Sequence, residues 1–146
     1  MYRHTLTLRV RYGETDQMGY VYYGHYAAYC EVARVEALRN LGMSYKQLEE
    51  SGVMLPVREH HAFYHRPAHY DDLLTIEVTI KAMPTAVIGF QYELYNEQRD
   101  LLHTAETKLA FVRSAGMRPC RPPQRLLVLL QPHFSAEAFG EKQEKQ

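Results

Sequence analysis

The hydrophobic pattern of this chain changes its period twice along the sequence, and that change limits the folds open to it. Over residues 5–12 apolar and polar side chains alternate, which predicts a strand with one buried face. From Tyr26 to Leu41 the apolar residues recur at i, i+3 and i+4, which predicts an amphipathic helix ended by Gly42. After Gly52 the period returns to two.

Four segments after Gly52 are predicted to be strands. They are residues 53–64, 74–80, 86–94 and 101–113. Short turns join them, for example at Asn96–Asp100, and strands joined in this way pair antiparallel. The helix must bury its apolar stripe against the only large surface available, which is the sheet. The sequence therefore predicts an α+β fold in which one long helix packs on a curved antiparallel sheet of about five strands.

The length and the C-terminal residues predict one domain followed by a tail. A chain of 146 residues fits a single globular domain, which we expect to span residues 1–134. The proline pair at 122–123 favours a final helix through Leu130, and Pro132 is expected to end it. Residues 135–146 are polar and are interpreted as a solvated C-terminal tail.

The composition excludes several classes of protein. Lys+Arg and Asp+Glu number 17 each, so the chain is expected to bind no nucleic acid through a basic surface. Two cysteines are too few for a secreted disulfide scaffold. The longest apolar run, Leu126–Leu130, is far shorter than the ~18–20 residues of a membrane span. Residues 1–12 (MYRHTLTLRVRY) place charged residues among the apolar ones, so no signal peptide is expected there. We therefore expect a cytoplasmic protein with no stable membrane insertion.

The segment between the first strand and the long helix concentrates groups that can carry chemistry. It contains Glu14 and Asp16, and five of the 12 tyrosines lie between Tyr20 and Tyr29. A helix N-terminus offers free N–H groups and a partial positive charge, which suit a developing oxyanion. An acid beside it stays ionised and can act as a base or a nucleophile. The alternative is that Asp16 only bonds to its own turn.

Two spaced motifs resemble one family of enzymes. The string RYGETDQMGYVYYGHY, followed by EVARVEALRNLG, resembles the acyl-CoA thioesterases of the 4-hydroxybenzoyl-CoA thioesterase family, and among them those associated with the Tol-Pal envelope system. The later string RPAHYDDL, within VREHHAFYHRPAHYDDLLTIEV, is similar to the second signature of that family. The resemblance covers about residues 5–115. It implies the hot-dog fold, in which a curved sheet wraps a central helix.

The resemblance also implies roles for four residues. The catalytic carboxylate of the family corresponds to Asp16, as nucleophile or as general base on a water. The thioester carbonyl would meet N–H groups where the helix begins, around Tyr23 and Gly24. His25 stands where the family usually has Asn, so a substrate-orienting role and a solvent-facing role both stay open. A thioester is already activated, so the expected mechanism needs no metal and no cofactor.

Histidines between residues 60 and 69 suggest two further kinds of site. Glu59, His60 and His61 are candidates for lining a substrate pocket from the strand that faces the helix, although partly buried strand polar groups are the alternative. His61, His65 and His69 recur every four residues, as metal ligands do on a helix. Pro67 and the extended pattern argue against a helix there, so no metal site is expected.

Basic residues are concentrated near the C-terminus. Between residues 107 and 136 there are five basic residues and no acid. Coenzyme A carries phosphates, and arginine binds phosphate through two parallel hydrogen bonds. Arg118 and Arg121, after the last strand, are the candidates for this contact, and an ordinary solvated loop is the alternative.

The expected function is acyl-CoA thioester hydrolysis, and two alternatives stay open. One is a hot-dog protein that binds acyl thioesters or a partner without turnover. The other is a hot-dog dehydratase, which would need a His and an acid near the helix. The resemblance further implies a homodimer or homotetramer with active sites shared between subunits.

Overall fold

The computed structural model describes residues 1–144, and side chains through Ser135. The strands are β1 (Tyr2–Arg9), β2 (Val53–Met54), β3 (Val57–Tyr64), β4 (Leu73–Ile80), β5 (Val87–Tyr95), β6 (Leu101–Ala110) and β7 (Val112–Arg113). The helices are α1 (His25–Leu41), α2 (Tyr45–Glu50) and α3 (Gln124–Glu144), and a single 3₁₀ turn covers Tyr12–Glu14.

Five strands form one antiparallel sheet in the order β1-β4-β5-β6-β3. The chain therefore enters at one edge with β1 and places β3 at the other edge, where it pairs with β6 from Val57↔Leu109 to Tyr64↔His103. The strands β2 and β7 form a separate two-stranded ribbon. The α+β fold with a five-stranded antiparallel sheet and a long helix, α1, is confirmed, and α3 is a second long helix that the sequence analysis expected to be short.

The helix α1 packs against the sheet through one face. Tyr26, Cys30, Ala33, Ala37 and Leu38 are buried along it, as the i, i+3, i+4 spacing predicts. They meet a layer of alternating apolar residues from β4, β5 and β6, so the core lies between α1 and the sheet. Burial of this stripe is the main force that fixes the start of α1 relative to the strands.

The end of α1 follows the sequence prediction closely. Gly42 adopts the left-handed conformation, with φ of +119°, and its N–H donates to the Leu38 and Arg39 carbonyls. Ser44 and Gln47 then form the predicted capping box that opens α2.

Four boundaries differ from the predictions, and the first is that the predicted strand 53–64 is divided into β2 and β3, which lie in different sheets. The strand β1 ends at Arg9, and Tyr12, which the alternation placed on the buried face, is 79% exposed because the chain turns away there. The predicted strand 101–113 is divided at Phe111 into β6 and β7. The predicted helix does not end at Pro132, because α3 continues to Glu144.

Tertiary contacts on both sides of Pro132 explain why the helix continues. Leu126 and Leu130 are buried before it, and after it the His133 ring packs edge-on against Tyr2 with centroids 4.9 Å apart. These contacts offset the missing hydrogen bond of an interior proline. The polar tail therefore begins within a helix, and residues 145–146 lie outside the described residues. Across residues 1–144, no helix is both long and apolar enough to cross a membrane.

Candidate active site

The loop between β1 and α1 folds back on itself around Asp16. The Asp16 N–H donates to the Tyr20 carbonyl at 2.8 Å, and the Gly19 N–H donates to the Asp16 carbonyl at 3.0 Å. Gly19 has φ of +80°, a conformation that favours glycine and closes this tight turn. The Asp16 carboxylate accepts from the N–H groups of Met18 at 2.9 Å and Tyr20 at 3.3 Å. The loop thus holds the carboxylate by its own main chain.

Glu14 ties this loop to α1, a role that the sequence analysis missed. Its carboxylate accepts from the Arg11 N–H at 2.7 Å and from the Tyr29 hydroxyl at 3.0 Å, and its carbonyl accepts from the Tyr22 N–H at 2.9 Å. Burial acts to raise the pKa of Glu14, but these hydrogen bonds and the Arg11 charge outweigh it and lower the pKa. Glu14 is therefore an ionised anchor two residues from Asp16.

A largely aromatic cleft of about 440 Å³ opens beside Asp16. It is lined by Asp16, Met18, Tyr20, Val21, Tyr22, Tyr23, Tyr26, Tyr64, His65, Arg66 and Pro67. The tyrosines that cluster between Tyr20 and Tyr29 in the sequence supply one wall, and the end of β3 supplies the other. A carboxylate beside a mainly apolar cleft is the arrangement expected of a binding or catalytic site.

The main chain just before α1 presents unused donors to this region. Within residues 1–144, the N–H groups of Tyr23 and Gly24 donate to no protein acceptor. Tyr23 lines the cleft, whereas Gly24 lies outside its lining. A Cβ on Gly24 would lie 3.0 Å from Cε1 of Tyr22, so a larger residue there would displace the exposed Tyr22 ring by a few tenths of an ångström. Free N–H groups at a helix N-terminus can hold a developing negative charge.

The two walls meet in an aromatic stack formed by three elements, in which Tyr26 and Tyr64 line the cleft and His103 lies behind them. The Tyr26 ring of α1 lies parallel to the His103 ring of β6 with centroids 4.4 Å apart, and Tyr64 of β3 packs edge-on against both rings. The Tyr64 hydroxyl donates to the Tyr23 carbonyl at 3.2 Å. The Tyr26 hydroxyl accepts from the Ala68 N–H at 3.2 Å. The stack therefore connects the start of α1 to the edge strand.

His103 is the most deeply buried ionisable group beside the cleft. It is fully buried, and neither ring nitrogen has a hydrogen-bond partner in the described part of the chain. Burial, followed by the nearby His60 and His65, lowers the pKa of His103 to about 4, so the ring is neutral at pH 7. No pattern in the sequence distinguished His103, because its environment is created by residues distant in sequence.

His25 begins α1 but does not line the cleft. Its ring packs edge-on against Tyr22, with centroids 6.0 Å apart. Asp16 and Tyr23 therefore share the cleft, whereas Gly24 and His25 stand beside it.

Glu59 and His60 point to opposite faces of β3, as consecutive strand residues must. The His60 imidazole lies 2.9 Å from the Thr107 hydroxyl on the helix-facing side, and burial lowers its pKa. Glu59 lies on the other face, 3.7 Å from Lys108. The expectation that both residues line one pocket on the strand facing the helix is therefore corrected, and neither of them lines the Asp16 cleft.

The structure does not bring His61, His65 and His69 together as a cluster. His61 is on the Glu59 side of β3, His65 lies 3.0 Å from the Thr104 hydroxyl, and the His69 ring packs against Tyr20. Among residues 1–144, no group of three His, Cys, Asp or Glu side chains has the arrangement of a metal site.

Arg118 and Arg121 lie at the other end of the sheet. Leu102, next to the cleft, accepts hydrogen bonds from His65 and Arg66, whereas Phe111 accepts from Cys120. Phe111 lies nine positions after Leu102, which is about 30 Å along an extended strand. Both arginines are exposed, and the structure does not place them near Asp16 of the same chain.

Comparison with known proteins agrees with this fold. The family model described as "Thioesterase-like superfamily" matches residues 10–130. The chain is 33% identical over 120 residues to the Escherichia coli protein named acyl-CoA thioester hydrolase YbgC, and the match covers 82% of this chain and 90% of that protein.

Two solved structures extend the comparison over the whole fold. DHNA-CoA thioesterase from Staphylococcus aureus has a TM-score of 0.80 and 28% identity, over 99% of this chain and 93% of that one. A variant of 4-hydroxybenzoyl CoA thioesterase, solved with 4-hydroxybenzoyl CoA, has a TM-score of 0.80 over 88% of this chain and 99% of that one. Its identity is 23%, so it shows the shared fold alone.

Proposed function

The chain belongs to the thioesterase-like superfamily and is an acyl-CoA thioester hydrolase, and we propose that Asp16 performs the reaction in the aromatic cleft. The observation that carries this proposal is the position of the carboxylate. It lines the cleft, it is held by two main-chain N–H groups, and it lies in the loop that leads to the unused N–H groups before α1. A cleft for the substrate, a fixed carboxylate and N–H donors for the carbonyl oxygen are the components that the protein must supply for hydrolysis of an activated ester.

In the general-base route, Asp16 removes a proton from a water molecule as the water oxygen bonds to the thioester carbon. The carbonyl oxygen becomes negative and accepts from the free N–H groups near Tyr23 and Gly24. The carbon–sulfur bond then breaks, and the thiolate of coenzyme A leaves and takes up the proton that Asp16 removed, which restores the carboxylate. In the nucleophilic route the Asp16 oxygen attacks the thioester carbon first and the thiolate leaves. Water then cleaves the resulting anhydride to the free acid and regenerates Asp16. Both routes need an ionised Asp16.

The aromatic lining and the open side of the cleft suggest how the substrate lies. The aromatic side chains Tyr20, Tyr22 and Tyr64 would enclose the acyl group, and the open side of the cleft would admit the coenzyme A arm. His25, beside Tyr22, would orient the substrate only indirectly.

The proposal extends to a second copy of the chain. The strand β3 is an edge strand, and it presents exposed Val57, Phe63 and Tyr64. A homodimer or homotetramer would bring residues of another subunit to the cleft. Arg118 and Arg121, distant from Asp16 within one chain, would then hold the coenzyme A phosphates from that subunit. A cytoplasmic location stays a prediction, as does the division into a domain of residues 1–134 and a tail.

The experiment is an assay of thiol release on a panel of acyl-CoAs of different chain length and aromaticity, for the native chain and for Asp16→Asn. We expect the native chain to release thiol and the variant to lose turnover while keeping its circular dichroism spectrum. Binding without release on every substrate would favour the non-catalytic alternative. Loss of water from a 3-hydroxyacyl thioester, without thiol release, would favour the dehydratase.

A further inference from the structure

The Tyr64 hydroxyl bonds across the cleft to the main chain at the start of α1. It donates to the Tyr23 carbonyl at 3.2 Å, between residues 41 positions apart in sequence. That carbonyl belongs to the peptide group whose N–H is on Gly24. The same residue, Tyr23, contributes its own free N–H beside the cleft. One side chain of the edge strand therefore fixes the main chain that carries both unused donors.

The Tyr64 ring is held firmly enough to act in this way. It packs edge-on against Tyr26, with centroids 5.3 Å apart, and against His103, at 4.7 Å. Tyr26 is itself fixed by its hydrogen bond from Ala68, and His103 is fully buried. Partial burial raises the pKa of Tyr64, so the hydroxyl keeps its proton and can donate.

The turn before α1 needs such a restraint. Gly24, at the N-cap, has no side chain that could accept from the first N–H groups of the helix, and no acidic residue lies in its first turn. The Tyr26 N–H reaches the Tyr23 carbonyl only at 3.4 Å, a long bond. The Tyr64 hydroxyl therefore supplies the second bond that holds this peptide group in place.

We propose that Tyr64 is a positioning residue that orients and polarises the main chain of Tyr23 and Gly24 for the carbonyl oxygen of the substrate. A hydrogen bond accepted by a peptide carbonyl strengthens the N–H of the same peptide as a donor. The inference rests on the proposed function, because it assigns Tyr64 a part in stabilising the transition state of thioester hydrolysis. Its effect is expected on kcat rather than on substrate binding.

The test is the variant Tyr64→Phe, which keeps the ring and removes the hydroxyl. We expect kcat on the best acyl-CoA of the panel to fall about threefold to tenfold, the effect of one lost hydrogen bond, with KM changed less than about twofold. The matched control is Tyr95→Phe, which removes a hydroxyl bonded to Glu93 on an exposed strand position and should leave kcat and KM unchanged.

The outcomes separate this inference from the proposed function. If Asp16→Asn retains turnover, the proposed function fails whatever Tyr64 does. If Asp16→Asn is inactive and Tyr64→Phe has the native kcat, only the role of Tyr64 is overturned. A rise in KM at native kcat would also overturn it, because the hydroxyl would then bind the substrate. Thermal unfolding of both tyrosine variants checks that lost activity is not lost structure.

Discussion

The two ends of the sheet differ in how their charged groups are held. At the cleft end, Glu14 and Asp16 each accept at least two hydrogen bonds, and most of these come from the main chain of the same loop. At the far end, Arg118 and Arg121 are exposed, and their guanidinium groups make no hydrogen bond or ion pair with residues 1–135, whose side chains the structure describes. A catalytic group must be fixed before the substrate arrives, whereas a phosphate contact can form on binding. The difference supports the proposal that the chemistry takes place at the cleft end and that the far end contributes binding at most.

Removing the Glu14 carboxylate, which anchors the loop at the cleft end, is expected to have a large effect on kcat. In Glu14→Gln the carboxylate that accepts from Arg11 and Tyr29 becomes a neutral amide. We expect kcat to fall by about tenfold or more, and the free energy of unfolding to fall by about 1–3 kcal/mol, the value of a hydrogen bond to a charged group. Steady-state kinetics and urea unfolding measure the two losses.

The matched control for this variant is Glu93→Gln. Glu93 also accepts from a tyrosine hydroxyl, that of Tyr95, but it lies on an exposed position of β5. If Glu14→Gln and Glu93→Gln both keep the native kcat, the Glu14 carboxylate does not hold the catalytic loop. The proposed difference between the two ends of the sheet would then be wrong.

The pH dependence of stability tests the buried part of the aromatic stack. Burial lowers the pKa of His103 to about 4, below the unfolded value near 6.5, so the unfolded chain binds the proton first as the pH falls. The contribution of the neutral His103 ring to the free energy of unfolding is fully present above pH ~6.5 and is lost as the pH falls toward the pKa of the folded state. Between pH 7 and pH 5, we expect the free energy of unfolding to decrease by about 1–2 kcal/mol less in His103→Phe than in the native chain.

Urea unfolding at several pH values between 5 and 7 measures this difference. His60, whose pKa burial also lowers, contributes to the slope in both proteins and cancels in the comparison. Equal slopes for the native chain and His103→Phe would show that the ring is solvated or paired in solution.

Periodicity and the resemblance predicted much of this molecule because both depend on local sequence. The helix predicted from Tyr26 begins at His25, and the strand predicted from residue 74 begins at Leu73. Asp16 was placed correctly in a loop before a helix, because the change of period and the motif occur in the same segment.

What the sequence could not predict depends on contacts between distant segments. Tyr64 reaches Tyr23, and His103 reaches Tyr26, only because β3 and β6 pair at the edge of the sheet. The helix past Pro132 likewise depends on packing against the first strand. A count of charges identified the basic segment but carried no information about its distance from Asp16.

The smallest effect is expected at the far end of the sheet. In Arg118→Ala combined with Arg121→Ala, we expect KM for acyl-CoA to rise by about threefold to tenfold and kcat to stay native, because phosphate contacts bind substrate and transition state equally. The rise should shrink at high salt. An unchanged KM at low salt would show that neither arginine binds the coenzyme A phosphates.

The most direct test of the account compares thiol release at saturating acyl-CoA by Asp16→Asn with that by the double arginine variant. If the cleft end holds the catalytic group, Asp16→Asn releases thiol no faster than buffer, while the arginine variant keeps the native kcat. Native kcat in Asp16→Asn would contradict the central claim that the carboxylate beside the aromatic cleft performs the hydrolysis.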